Sequence, residues 1–115
     1  MQFTMIDRGT ATPATVQNLG GQAAGDLLIA EYLAAAARGH QTAFFDLGVA
    51  FSTGSHGVPC DLVEAHKWFN LAATSGHDCA PQCRADVADE MTAREIAEAQ
   101  RRAREWLRFN DSKAA

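Results

Sequence analysis

Apolar positions along this chain recur with a helical period. Between Thr42 and Ser52, Phe44, Leu47, Gly48 and Phe51 fall at i, i+3, i+4 and i+7, a single apolar stripe. Between Leu62 and Ser75, Ala65, Trp68, Phe69, Ala72 and Ala73 make a second stripe. Ile96, Ala99, Ala103 and Trp106 make a third between Ala93 and Phe109. Asp26 to Arg38 reads as a helix with a Leu, Ile and Ala interior, Asp26 as its cap and Gly39 as its stop. Cys79 to Glu90 reads as a more polar helix with Pro81 in its first turn. Runs of strand-favouring residues are absent, so the pattern predicts an all-α chain.

The boundaries carry their own chemistry. Asp61 with Glu64, and Thr92 with Glu95, stand three residues apart as capping boxes. Gly54 and Gly57 suit a turn whose backbone needs positive φ. Residues 1–25 read as a loosely ordered lead-in. Thr12 and Pro13 start a short helix there, and Gly20-Gly21 end it after about two turns. Residues 26–110 then form the helical domain, and residues 111–115 a tail.

The chain also repeats itself. Leu33 to His40 reads LAAAARGH and Leu71 to His77 reads LAATSGH. Superposing Gly39-His40 on Gly76-His77 gives an offset of 37 residues, which places Tyr32 on Phe69, Ala35-Ala36 on Ala72-Ala73 and Ala43 on Ala80. A period of that length with two helices per period is the mark of a helical repeat. One helix pair cannot bury its apolar face alone, and stacking two to three pairs builds a continuous core.

The segment from Gly39 to His77 closely resembles the Sel-one-like repeat (SLR), a relative of the tetratricopeptide repeat. Ala43, Leu47-Gly48, Phe51, Gly54, Gly57-Val58, Asp61, Ala65, Trp68-Phe69, Ala72-Ala73 and Gly76 supply that pattern in order. Asp26 to Arg38 looks like the second helix of an earlier repeat, with Glu31 where the Trp stands. Residues 79–107 look like a further pair with Arg84-Ala85 in place of Leu-Gly, as in terminal caps. The resemblance implies a short right-handed α-solenoid of antiparallel helix pairs that serves as an adaptor or scaffold. It implies no catalytic residue and no cofactor, because the family's pattern positions are structural.

Charge and cysteine content narrow the alternatives. The net charge is −4, and the arginines at 94, 101, 102, 104 and 108 are interleaved with Glu95, Glu98 and Glu105. This reads as a solvated face laced with ion pairs, which argues against a nucleic-acid partner. Met1 to Thr10 lacks an apolar run of signal-peptide length, and no segment has the roughly 20 apolar residues of a membrane span. Three cysteines make a poor disulfide framework, so a reducing cytoplasm is the expected compartment.

Two groups of residues are candidate sites. His77, Cys79 and Cys83 read H-x-C-x-x-x-C, with the two thiols at i and i+4, and form the metal or redox alternative. Phe45 and Val49, i and i+4 on the second helix and off its stripe, either pack on a neighbouring repeat or present an apolar pair to a partner. Self-association through the open ends of a short stack is the remaining alternative. His66, off the main stripe of its helix, reads as solvated or partly packed.

Overall fold

In the computed structural model of the protein, the backbone is described for residues 14–114 and the side chains for residues 25–110. The described residues form five α-helices and no strand: α1 (Ala14–Ala37), α2 (Gln41–Thr53), α3 (Leu62–Thr74), α4 (Ala80–Ala88) and α5 (Ala93–Ala114). α1 packs on α2, α2 packs on α3, and α3 also packs against α4 and α5.

The helix ends follow from local chemistry. Gly39 and Gly76 hold φ at +84° and +99°, a left-handed conformation that costs glycine little. Each closes its helix with the paired hydrogen bonds of a Schellman turn. Gly39 N–H donates to Ala36 at 2.8 Å and His40 N–H to Ala35 at 3.2 Å. The corresponding bonds run from Gly76 to Ala73 at 3.1 Å and from His77 to Ala72 at 3.0 Å. His40 and His77 then accept from Ala43 and Ala80 with their carbonyls, at 3.1 and 3.4 Å, and open the next helix. The two junctions therefore share their bonding at the 37-residue offset read from the sequence.

Helix starts are equally specific. Asp61 Oδ1 accepts from Glu64 N–H at 3.2 Å at the head of α3. Thr92 and Glu95 exchange both bonds of a capping box at the head of α5, at 2.9 and 3.1 Å. Asp61 N–H donates to the Phe51 carbonyl at 2.9 Å and closes the α2–α3 loop. His56 in that loop sits at φ +59°, unusual for a residue with a side chain. Its ring meets Tyr32 edge-on at 6.2 Å.

Two expected boundaries are corrected. α1 does not end at Gly20-Gly21, and Asp26 lies inside it rather than capping a new helix. Glycine in a helix interior costs about 1 kcal/mol but does not forbid the helix. At Gly25 the missing side chain is required, since a Cβ there would lie 2.9 Å from the His56 carbonyl oxygen. α5 likewise runs on to Ala114 through the expected tail. No Gly or Pro follows Phe109 to stop it. The helix start expected at Thr12 and Pro13 lies outside the described residues.

The core centres on α3. Trp68 is 2% exposed and lies between Phe44 of α2 and Trp106 of α5. Its ring stacks on Phe44 at 6.1 Å and meets Trp106 edge-on at 4.8 Å. Leu47, Leu71, Ala36, Ala80 and Ala103 close around this group. On the other flank, Phe69 packs with Ala65 and Val87, bordered by Phe51, Cys83 and Met91. Gly48 makes that contact possible, because a Cβ there would stand 2.5 Å from the Phe69 ring.

Trp68→Ala is expected to destabilise the fold by roughly 3–5 kcal/mol, the usual cost of emptying a large aromatic site. Chemical denaturation followed by circular dichroism measures this. A midpoint that does not move would remove Trp68 from the centre of the core.

Candidate functional site

α5 alternates charge along its outer face at helical spacing. Arg101 lies between Glu98 and Glu105, donating to them at 2.7–2.9 Å and 2.6 Å. Arg102 Nε donates to Glu98 at 2.8 Å. These are the ion pairs expected from the sequence. One further bond leaves the helix: Arg102 Nη1 donates to Glu64 of α3 at 2.7 Å. Glu64 also accepts from Lys67 Nζ at 3.3 Å. The Lys67 ammonium lies 4.2 Å from the Trp68 ring centre and 5.6 Å from that of Trp106. Carboxylates and cations thus tie α3 to α5 above the aromatic core.

An open groove of about 790 Å³ runs along this lattice, and Trp106, Arg108 and Phe109 continue its lining beyond the ion pairs. Arg108 and Phe109 are exposed, and Trp106 is half-buried. Trp106 also borders a smaller hollow of about 220 Å³, lined by Ala36, Ala37, Phe44 and Leu107 where the ends of α1 and α5 meet.

The electrostatics of the groove suit binding better than proton transfer. Hydrogen bonds from Arg101, then from Arg102, hold the Glu98 carboxyl down to about 2. Glu98 holds both guanidiniums firmly charged, with Glu105 and Glu64 adding to the effect. A carboxylate that acidic is a weak base near neutral pH.

The sequence-predicted candidates lie elsewhere. Phe45 is half-buried, stacked on the His77 ring at 4.1 Å and tilted against Phe69 at 5.5 Å. Val49 is 37% exposed, one turn along the same face. Asp46 beside them has its carboxyl raised by burial, against the pull of His77 and His56. His77 Nδ1 accepts from the Cys79 N–H at 3.2 Å, so this side chain serves the start of α4. Cys79 is exposed, while Cys83 packs beside Val87 and Phe69. Among the described residues, no group of three His, Cys, Asp or Glu side chains is placed to hold a metal ion.

The expectation of a solvated or partly packed His66 is corrected. This residue is 3% exposed, and its Nδ1 has no hydrogen-bond partner among the described residues. α4 covers the flank of α3 that the apolar stripe leaves polar. Arg84 of α4 donates to Asn70, one turn beyond His66, at 2.6 Å. Burial, reinforced by the Arg84 charge, lowers the His66 pKa below its ordinary 6.5.

The neutral imidazole is therefore favoured in the fold. Its contribution is complete above the ordinary value of 6.5 and declines as pH falls through the lower folded value. Melting temperature should drop on acidification from the ordinary value of 6.5 down to that point and level off below it, and His66→Leu should flatten the slope. An identical slope in the variant would assign the titration to another group. Burial, then Asp86 and Cys79, pushes the Cys83 thiol up. Cys60 and Cys79 should react quickly with a thiol reagent near neutral pH and Cys83 slowly. Three equal rates would contradict that difference in environment.

Among the described residues, no helix is long and apolar enough to cross a membrane. Compared with known proteins, the chain matches no family model, no curated protein and no solved structure.

Proposed function

We propose that this chain is a protein-interaction module. It is a short right-handed stack of helix pairs of the Sel-one-like kind, holding a partner protein in the α3–α5 groove with no chemistry of its own. The groove carries this reading. It is open, has an aromatic floor at Trp106, and each carboxylate among its described lining residues is paired with a cation from the same lining. Such a surface offers apolar area within a polar rim, as protein-binding patches do. The backbone bonds shared by the α1–α2 and α3–α4 junctions support the repeat. The central place of α3 among its neighbours fits a helix inside a stack.

The test compares the wild-type chain with a folded double variant, Arg108→Glu and Phe109→Ala, as baits in cross-linking capture from the native cell. Specific proteins recovered by the wild type and lost from the variant are expected. Identical recovery by both baits would move binding out of the groove. A bait that turns over a small molecule and recovers no protein would remove the interaction reading.

A further inference from the structure

The lining of the groove specifies what kind of segment it takes. Glu64 is shared by Lys67 and Arg102, Glu98 by Arg101 and Arg102, and Glu105 is held by Arg101. Arg108 extends the same row one turn further, and among the described residues it has no carboxylate partner. Among its described lining residues the groove therefore holds four cations against three anions, in a chain whose net charge is −4. The surplus positive charge lies next to Phe109, which is 60% exposed, and one turn from Trp106.

We infer that the occupant is an acidic segment of a partner protein in which carboxylates are interspersed with large apolar residues. This rests on the interaction reading above and names the chemistry of the partner. A carboxylate of the segment meets Arg108 and completes the alternation of charge. The neighbouring apolar side chain lies against Phe109 and Trp106, where burial supplies affinity that an exposed ion pair cannot. A basic segment is disfavoured twice: it meets Arg108 with like charge, and it must compete with Arg101 and Arg102 for carboxylates already bonded at 2.6–2.9 Å. A nucleic-acid backbone is disfavoured by Glu64, Glu98 and Glu105, which place negative charge along the path its phosphates would follow.

Short fluorescein-labelled peptides test this on the full chain by anisotropy. In one series Leu and Phe alternate with Glu, in a second with Gln, and in a third with Lys; a single-stranded oligonucleotide is the fourth probe. The Glu series should bind, weaken with added salt, and lose about tenfold in affinity with Arg108→Glu. Phe109→Ala should weaken the Glu and Gln series alike, because it removes the apolar contact. Equal or tighter binding of the Gln or Lys series, tighter binding of the oligonucleotide, or an Arg108→Glu variant that binds the Glu series unchanged would overturn the assignment. Those results leave the interaction reading to be decided by the capture experiment. No binding of any probe would overturn the assignment as well.

Discussion

Removing the Trp68 ring from water between α2 and α5 is the constraint on which the rest of the structure depends. The ring meets Phe44 on one side and Trp106 on the other, so one side chain links three helices. α5 begins far along the chain, and its docking closes a long loop at an entropic cost. Burial of Ala99 and Ala103 with half-burial of Trp106 offsets that cost. The Glu64–Arg102 bond adds direction more than energy, since its partners are partly exposed.

Small residues set how closely the helices approach this centre. Gly48 lets the Phe69 ring lie on the α2 backbone, and Gly25 lets the His56 carbonyl approach α1. Ala36, Ala43, Ala72 and Ala80 fill the remaining space with little volume. Ala43 and Ala80 are also the residues whose N–H groups open α2 and α4. One residue type at one offset thus serves both packing and chain reversal. Close packing comes with unsatisfied polar atoms: Trp68 Nε1 and His66 Nδ1 are buried with no partner among the described residues. Such atoms raise the energy of the folded state.

The groove lies along the line where Glu64 and Lys67 of α3 meet α5. Arginines and glutamates along α5 line the groove with charge, and Trp106 and Phe109 supply its apolar area. The pairing holds Glu98 near 2, far from the range useful for acid–base chemistry at neutral pH. Charge on this face is therefore held in ion pairs.

What the sequence determined by itself was local. The stripe periods placed α2, α3 and α5, because apolar spacing in a helix is fixed by its geometry, and Pro81 marked the first turn of α4. Asp61, Thr92 and the glycines at 39, 54, 57 and 76 marked their ends, because caps and left-handed turns depend on a few adjacent residues. The ion pairs within α5 were legible from spacing of three and four residues. Tertiary structure decided the rest. Continuation of α1 through its glycines could not be read from propensity, and the need for Gly25 lies in a carbonyl more than thirty residues away. His66 looked polar-facing because its own helix gives no sign that α4 covers it. The groove itself is made by Glu64 and Arg102, 38 residues apart, and no periodicity within either helix encodes that meeting.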